Sequence, residues 1–481
     1  MEGKKQQKSK VKFDGQVFTP EYLVKDMLDF AGYCGFDIVG KHIMENSCGD
    51  GAFLCEIVRR YCSVYSRDSL KSELETYIHG IEKDRAEYKK CLARLDAIAA
   101  EFGLTDVKWD VICGDALEAG KKHHGKMDFV VGNPPYVRVH NLAADTKEFS
   151  FASEGMTDLY LVFFEIGLNM LSPMGKMCLI TPSSWLNSSA GANFRENILY
   201  RRNLRGVIDL EHFQPFPAAT YTMISLFDNA DAESRNQFAY HRYTGPNEMF
   251  FIDNLSFKDA FIDSRIYLAD NDMLRKLRDM ETHYSNDKSI LVKNGFATLA
   301  DDVFIGDFPD GPNVIDVIKS STGKWKKCVF PYKRDGSALP EFALRENKFV
   351  WDRLSANRAR LESRAIANQD EWYLFGRSQA LRDVSKDKVA VNQLIKDKKS
   401  LKVNFVPAGS GVYGGLYIVS DKNIKDIQNA LMSDEFMDYI RALKNYKSGG
   451  YYTYSSAELA KFLNYYMNER TANELEFAAN Y

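Results

Sequence analysis

Short apolar runs alternate with helix-like stretches through residues 40–230, and this rhythm constrains the fold more than any other feature of the sequence. The runs occupy residues 42–44, 77–80, 107–113, 127–132, 176–180, 204–210 and 222–227. Such alternation predicts a Rossmann-like α/β domain, in which a parallel-rich sheet of seven strands carries helices on both faces. Because ligands bind these sheets where strands end and loops begin, we sought candidate site residues at the carboxyl ends of the runs.

Composition limits the remaining possibilities. The chain has 481 residues, enough for two or three domains, and a formal net charge of -3, so a DNA-binding surface would have to be local. The eight cysteines are scattered without CxxC spacing or a zinc-type Cys/His pattern, which predicts a reduced cytoplasmic environment and no metal site. No apolar run approaches the length of about 18 residues expected of a membrane span.

The alternation of strand-like and helix-like segments ends at about residue 245. Residues 246–481 show no clear βα rhythm, and we expect a second domain of mixed α+β structure there. Within it, residues 344–402 contain 14 Lys/Arg against 8 Asp/Glu, an excess of positive charge that the whole chain lacks. At the other terminus, residues 1–16 are basic, and we expect them to form a disordered tail.

Three predicted strand ends carry ligand-type residues. The first is the turn from Glu45 to Gly51, whose two glycines would let the backbone approach a ligand closely. The second is Glu82, which could accept the hydroxyls of a ribose. The third is Asp115, which could accept from the exocyclic amine of an adenine. Each has an alternative: a plain strand-to-helix turn for the glycines, and a helix N-cap or a solvated charge for the carboxylates.

A fourth strand end is more specific, because it reads Asn133-Pro134-Pro135-Tyr136. The two prolines remove two backbone donors and hold the chain extended. This leaves the Asn133 side-chain oxygen and the Pro134 carbonyl as acceptors, with the flat ring of Tyr136 beside them. Such an arrangement suits a planar amino group that needs two acceptors and a stacking surface. A structural Asn-Pro turn is the alternative.

These motifs, in this order, resemble a known family. Phe18-Thr19-Pro20, the Gly49-Asp50-Gly51 loop and Asn133-Pro134-Pro135-Tyr136 look like the gamma-group, TaqI-type DNA adenine-N6 methyltransferases of type II restriction–modification systems. The resemblance implies an S-adenosylmethionine-dependent catalytic domain over residues 17–245 and a DNA target-recognition domain over residues 246–481. The implied partners are double-stranded DNA and a separately encoded restriction endonuclease, unless the enzyme is an orphan.

The resemblance also assigns roles to individual residues. The implied cofactor-binding residues are Phe18, Thr19, Pro20, Glu45, Ser47, Cys48, Gly49, Gly51, Glu82, Asp115, Ala116, Asn133 and Phe163. Asn133 to Tyr136 would form the catalytic motif, and the target base, flipped out of the duplex, would stack on Tyr136 and Phe216. Outside this family context, Phe163 and Phe216 would be read as core residues. The sequence departs from the family at Glu45-Asn46-Ser47, where Asp-Pro-Ala is common, and at Asp50, which replaces a serine.

Arginines and lysines in residues 344–402 are the candidate DNA contacts: Arg353, Arg358, Arg360, Arg377, Lys396, Lys398 and Lys399. Arginine can read guanine edges, whereas lysine contacts chiefly phosphate. The alternative for each of them is a solvated side chain. Three other functions also stay open: glutamine N5-methylation of a protein, cytosine-N4 methylation of DNA, and a non-catalytic DNA-binding subunit.

Overall fold

The computed structural model describes residues 18–66, 68–139, 149–152, 157–216, 220–229, 235–284, 288–365 and 369–479. It divides into two compact units, Met1–Leu274 and Arg275–Tyr481. The predicted basic tail, residues 1–16, lies outside the described residues. No helix in the described part of the chain is both long enough and apolar enough to cross a membrane.

A large mixed sheet dominates the first unit, and every one of the seven predicted apolar runs becomes one of its strands. The strands of this unit are β1 (Ile43–Glu45), β2 (Ile78–Glu82), β3 (Asp110–Cys113), β4 (Met127–Gly132), β5 (Arg138–Val139), β6 (Thr157–Asp158), β7 (Leu171–Pro182), β8 (Leu204–Asp209), β9 (Thr222–Asp228), β10 (Gln237–Gly245), β11 (Glu248–Ser256), β12 (Phe261–Ile262) and β13 (Arg265–Ile266). The main sheet has the order β11-β10-β8-β9-β7-β4-β1-β2-β3. The expected α/β fold is thereby confirmed.

The sheet has nine strands rather than the predicted seven. The two additional strands, β10 and β11, form an antiparallel hairpin, and β10 also pairs in parallel with β8. Residues 245–247, which the sequence suggested as a domain boundary, are the turn of this hairpin, where Asn247 has a positive φ of 63°. The compact units therefore divide at residues 274 and 275, and the functional assignment of each unit stays a prediction.

Four helices of the first unit, α1 to α4 in the following series, pack apolar side chains into one core with the sheet. The helices of this unit are α1 (Glu21–Ala31), α2 (Ala52–Val64), α3 (Leu70–Tyr77), α4 (Arg85–Glu101), α5 (Ala116–Ala119), α6 (Leu159–Met170), α7 (Ala192–Arg201) and α8 (Phe257–Ala260). Leu23 and Met27 of α1, Leu54 and Ile57 of α2 and Leu95 of α4 belong to the same buried cluster. This apolar contact fixes the helices against the strands whose ends carry the candidate site.

Parallel pairing brings the predicted strand ends to one edge of the sheet. β1 pairs in parallel with β2 and with β4, placing Glu45 opposite Gly80 on one side and opposite Val131 on the other. In the same direction, Glu82 pairs with Cys113 at the ends of β2 and β3. The carboxyl ends of all four strands therefore open on a common edge, as the sequence predicted.

The second unit is built from small sheets and helices. Its strands are β14 (Ile290–Asn294), β15 (Ile305–Gly306), β16 (Val314–Lys319), β17 (Lys324–Val329), β18 (Lys388–Val391), β19 (Leu394–Ile395), β20 (Val403–Val406), β21 (Gly411–Tyr413), β22 (Leu416–Ser420), β23 (Tyr446–Lys447) and β24 (Tyr451–Thr453). One helix, α9 (Asn271–Tyr284), begins four residues before the second unit and continues into it. The other helices of this unit are α10 (Asp301–Phe304), α11 (Glu341–Arg345), α12 (Lys348–Ala356), α13 (Arg358–Glu362), α14 (Ile424–Leu431), α15 (Asp434–Ala442) and α16 (Ser456–Ala479). Two four-stranded sheets, β14-β22-β18-β20 and β15-β17-β16-β21, carry most of the strands. The mixed α+β character expected here is confirmed.

A buried arginine ties together loops of the second unit. Arg364 is 8% exposed, and its guanidinium donates to the backbone carbonyls of Thr298, Leu361, Trp372 and Leu374. Its guanidinium also lies over the ring of a buried phenylalanine at 5.4 Å from the ring centroid. Although the positive charge of residues 344–402 suggested a DNA surface, Arg364 is buried and binds backbone carbonyl groups inside the unit.

We expect Arg364→Leu to destabilise the second unit by about 3 kcal/mol or more, because it leaves buried carbonyl groups without their charged donor. Arg377→Leu is the matched control: Arg377 is exposed, and its replacement should change the free energy of unfolding by less than about 0.5 kcal/mol. Urea denaturation of the full chain measures both. Equal midpoints for the two variants would contradict the structural role of Arg364.

Candidate functional site

The glycine turn after β1 has a backbone that other residues adopt poorly. Gly49 and Gly51 have positive φ values of 52° and 85°. A Cβ atom on Gly51 would lie 2.7 Å from Cys91 Sγ of α4, whereas a Cβ on Gly49 would meet nothing within 4 Å. Gly51 is therefore required for packing as well as for conformation, and Gly49 faces open space at the edge where a ligand could bind.

Glu82, the last residue of β2, holds this turn in place. Its Oε2 accepts from the backbone N–H of Gly49 at 2.7 Å, and its Oε1 accepts from that of Asp84 at 2.6 Å. The N-cap of α4 is Asp84, not Glu82, because the Asp84 side chain accepts from Ala86 and Glu87. The helix-cap role that the sequence offered as an alternative for Glu82 therefore belongs to Asp84. Burial raises the pKa of Glu82, against the two backbone hydrogen bonds that lower it.

Glu45, the last residue of β1, is a buried carboxyl group at 3% exposure. Burial raises its pKa, and the nearby acidic groups Cys91, Asp50 and Glu82 raise it further. The backbone N–H of Leu54 donates to Glu45 Oε2 at 3.3 Å and acts in the opposite direction. A buried carboxyl group among other acidic groups is expensive when ionised, and a cationic ligand would offset that cost.

Asn46 is a site residue to which the sequence analysis assigned no role. Its side chain is 1% exposed, and neither its Oδ1 nor its Nδ2 atom has a hydrogen-bond partner. A Cβ built on Gly132, at the end of β4, would lie 3.9 Å from Asn46 Oδ1. Buried polar atoms are normally satisfied, so this amide is available to a ligand that carries both a donor and an acceptor. The only sequence feature that marked this residue was the departure from the family pattern, which commonly has proline at this position.

Hydrogen bonds join the Asn133–Tyr136 motif to its surroundings. Asn133 Nδ2 donates to the Thr19 hydroxyl at 3.2 Å, and the Ser47 hydroxyl donates to the Asn133 carbonyl at 3.5 Å. Tyr136 donates its hydroxyl proton to the Ile180 carbonyl at 3.1 Å, and burial raises the pKa of this phenol. Residues predicted separately from the segment before α1, the glycine turn and β4 therefore converge on one motif.

The rings of Tyr136 and Phe216 are neighbours in the structure. Their ring centroids are 6.4 Å apart with an interplanar angle of 75°, an edge-to-face arrangement. Phe216 is also 5% exposed and belongs to the core cluster of the first unit. Phe216 therefore belongs to the apolar core and also contacts the ring of Tyr136, so a core position does not exclude a position at the candidate site.

Other predicted cofactor residues occupy less distinctive positions. Asp115 is the N-cap of α5: its carboxylate accepts from Leu117 N at 3.0 Å and from Lys83 Nζ at 2.7 Å. Burial raises the pKa of Asp115, but these hydrogen bonds outweigh it and leave the pKa lowered. Phe163 is buried within α6 at 5% exposure. The remaining residues are Phe18, exposed; Pro20, half-buried; Cys48, buried; and Ala116, buried.

Three predicted DNA contacts make contacts within the second unit, and two of them, Arg358 and Arg360, are exposed as well. Arg353 donates to the carbonyls of Val303 and Asp302, and Arg360 forms an ion pair with the Asp302 carboxylate. Arg358 donates to Glu362 at 2.7 Å and lies over the Trp372 ring. The other four candidates are Arg377, Lys396 and Lys399, which are exposed, and Lys398, which pairs with Asp434 at 2.6 Å.

Comparison with known proteins agrees with the geometry of the first unit. Residues 52–216 match the family model of the Eco57I restriction-modification methylases. This segment runs from the start of α2 to Phe216 and includes the Asn133–Tyr136 motif.

Curated relatives point the same way. The type II methyltransferase M.PaeR7I of Pseudomonas aeruginosa is 28% identical over 41% of this chain and 36% of its own length. The type II restriction enzyme and methyltransferase RM.Eco57I of Escherichia coli is 21% identical over 89% of this chain and 54% of its own length. The chain thus spans well under two thirds of either relative.

A solved structure supports the fold of most of the chain. The type IIL restriction-modification enzyme MmeI, determined in complex with DNA, superimposes with a TM-score of 0.58 and 13% identity over 91% of this chain and 63% of MmeI. The motifs, the fold and the matched family model agree. The resemblance to type II methyltransferases is confirmed, and residues 52–216 match the Eco57I restriction-modification methylase family.

Proposed function

We propose that this protein methylates the N6 amino group of a flipped-out adenine in double-stranded DNA, using S-adenosylmethionine, as the modification activity of a restriction–modification system. The observation that carries the proposal is the convergence of Thr19, Ser47 and the Asn133–Tyr136 motif at the edge where β1, β2 and β4 end. The matched methylase family supports it independently.

The residues of the glycine turn fit a cationic cofactor. S-adenosylmethionine supplies an electrophilic methyl group on a sulfonium and carries a second positive charge on its amino group. The buried Glu45 carboxyl group would hold the amino group, and the unpartnered Asn46 amide offers a donor and an acceptor beside it. Glu82 would bind the ribose hydroxyls while its hydrogen bond to Gly49 keeps the turn open. Asp115 would accept from the cofactor's adenine amine.

The Asn133–Tyr136 motif would make the target nitrogen nucleophilic. Because the lone pair of adenine N6 is delocalised into the ring, the free base reacts poorly. If the Asn133 side-chain oxygen and the Pro134 carbonyl each accept one N6 hydrogen, the nitrogen moves toward tetrahedral geometry and its lone pair becomes available. The hydrogen bond from Asn133 Nδ2 to Thr19 orients the amide for this task. Catalysis then depends on positioning and electrostatics rather than on a general base.

The aromatic pair would receive the extruded base. An adenine within a duplex cannot reach a pocket at the edge of the sheet, so it must leave the helix. Tyr136 offers a ring whose hydroxyl is anchored on Ile180, and Phe216 lies next to it. We assign the stacking surface to these two rings.

The second unit would recognise DNA. The exposed candidates are Arg358, Arg360, Arg377, Lys396 and Lys399. The ion pairs of Arg358 with Glu362, of Arg360 with Asp302 and of Lys398 with Asp434 could exchange for phosphate. The solved complex of MmeI with DNA supports a DNA substrate for this fold. A separately encoded restriction endonuclease is the partner that such a modification enzyme would have.

Sequencing of methylated bases tests the proposal directly. DNA from cells that express the protein should carry N6-methyladenine within one fixed sequence, and DNA from cells expressing Asn133→Ala should not. N4-methylcytosine within one fixed sequence, without N6-methyladenine, would favour the cytosine alternative. Unmodified DNA together with N5-methylglutamine in a cellular protein would favour the protein-methylating alternative, and the absence of any methylation would favour a DNA-binding subunit.

We expect Asn133→Ala to lower turnover at least about a hundredfold, because one of two oriented hydrogen-bonding groups is lost from the transition state. Affinity for S-adenosylmethionine, measured by calorimetry, should stay within a few-fold of that of the wild type. Asn169→Ala, which removes an exposed amide from α6, is the matched control and should leave both unchanged. Near-normal methylation by Asn133→Ala would contradict the mechanism.

We expect Phe216→Leu to weaken capture of the flipped base, since base–aromatic stacking contributes about 1–3 kcal/mol per base. Leucine keeps an apolar side chain in the core, so the fold should persist. The fluorescence enhancement of 2-aminopurine at the target position of a duplex should fall. Phe213→Leu changes a partly buried phenylalanine packed on the same core and should keep the enhancement. A signal that is the same in both variants would assign Phe216 to the core alone.

We expect the double variant Lys396→Glu and Lys399→Glu to bind cognate and scrambled duplexes more weakly to the same degree. Phosphate contacts contribute about 0.9 each to the slope of log affinity against log salt, so the slope should become shallower by about 2. Lys422→Glu with Lys425→Glu makes the same charge change at two other exposed lysines of this unit. Binding curves at several salt concentrations distinguish the two. An unchanged slope in the first variant would place the DNA surface elsewhere.

A further inference from the structure

A second polar cluster lies at the opposite edge of the main sheet from the candidate site. It consists of His79, the second residue of β2; Asp110, the first residue of β3; and His123, which ends the 3-10 turn Gly120–His123 before β4. The register of β2 and β3 places His79 directly opposite Asp110. One potential metal-ligating atom of each residue lies within 4.8 Å of those of the other two.

The cluster contains hydrogen-bonded ring nitrogens and a buried one that has no hydrogen-bond partner. His79 Nδ1 lies 2.7 Å from Asp110 Oδ2, and His79 Nε2 lies 2.9 Å from Nδ1 of His42, the residue just before β1. His123 is 6% exposed, its ring centroid is 5.3 Å from that of His79, and its Nε2 has no hydrogen-bond partner. A buried imidazole nitrogen without a partner is costly unless something else binds it.

We propose that His79, His123 and Asp110 bind a divalent transition-metal ion of the Zn²⁺ class. Two imidazoles and a carboxylate are ligands that Zn²⁺ prefers, and a fourth position would be left for water. Because its ligands come from β2, β3 and the turn before β4, the ion has a structural role: it holds the amino ends of neighbouring parallel strands together.

Binding of the ion would move hydrogens between ring nitrogens with no net loss of protons. His79 Nδ1 would release its hydrogen to solvent and coordinate the metal, while His79 Nε2 would take the hydrogen from His42 Nδ1 and donate it back along the same hydrogen bond. His42 would take up a proton from solvent at its other ring nitrogen. His42 would thus fix the tautomer of a ligand from outside the coordination shell, as second-shell groups commonly do.

Access and charge at the cluster are compatible with an ion. The Asp110 side chain is 34% exposed, which gives the ion a route from solvent. Lys122 Nζ lies 3.8 Å from Asp110 Oδ1, but its own side chain is 53% exposed and can turn to solvent when an ion neutralises the carboxylate. The sequence predicts no metal site because these residues have none of the short spacings of zinc motifs, and only the strand register brings them together.

Titration of the full-length, chelator-treated protein with Co²⁺ tests the proposal, because the visible absorption of Co²⁺ reports its ligands. We expect one Co²⁺ per chain to bind with a distinct spectrum that Zn²⁺ abolishes. His123→Gln and Asp110→Asn should each weaken binding more than about tenfold, the lower range for losing even an outer-shell partner. Zn²⁺ should raise the melting temperature of the wild-type protein but not of these variants.

His124→Gln is the matched control, because it removes an exposed histidine from the adjacent position. It should retain Co²⁺ affinity and spectrum. If His123→Gln fails to fold, the partly exposed Asp110→Asn substitution decides the question. The proposal is overturned if wild-type protein shows no Co²⁺ spectrum, if the folded ligand variants bind as tightly as wild type, or if His124→Gln loses as much affinity as they do.

Discussion

The parallel register of β1 with β2 and β4 is the constraint on which the candidate site depends. It places Glu45 between Gly80 and Val131, so that the glycine turn, Glu82 and the Asn133–Tyr136 motif begin at the same level of the sheet. A shift of a strand by one residue would reverse the direction of each of its side chains. The apolar core that α1, α2 and α4 form with the sheet stabilises this register, because a shifted strand would lose its packing against these helices.

Polar groups at this edge are arranged at a cost that the apolar core must offset. Burial raises the pKa of both Glu45 and Glu82, which means that the fold disfavours their ionised forms. Asn46 adds an amide with no partner. A cation with hydrogen-bonding groups would offset the cost of burying all three polar groups at once.

The sequence predicted the parts of this arrangement that local patterns encode. Apolar runs located all seven predicted strands, and the glycines and prolines marked the loops that require special backbone geometry. It did not predict β10 and β11, because a Gly-Pro-Asn stretch is equally consistent with a hairpin turn and with a linker. Asn46 and the His79 cluster also escaped detection. Their significance lies in burial and in contacts between distant segments, neither of which short spacings record.

The second unit shows why charge alone is a weak guide to a DNA surface. Arginine combines a fixed positive charge with five donors, so the same residue suits a phosphate and a set of buried carbonyl groups. Arg364 and Arg353 use their guanidinium groups on backbone carbonyls, and Arg360 is paired with Asp302. The excess positive charge of residues 344–402 is therefore shared between the interior and the surface. Lysine has a compact, strongly hydrated charge, yet the buried Lys388 also donates to two backbone carbonyls, those of Asp383 and Lys386. Exposure is consequently a more informative sign of an electrostatic surface than residue type, and Lys396 and Lys399 meet that criterion here.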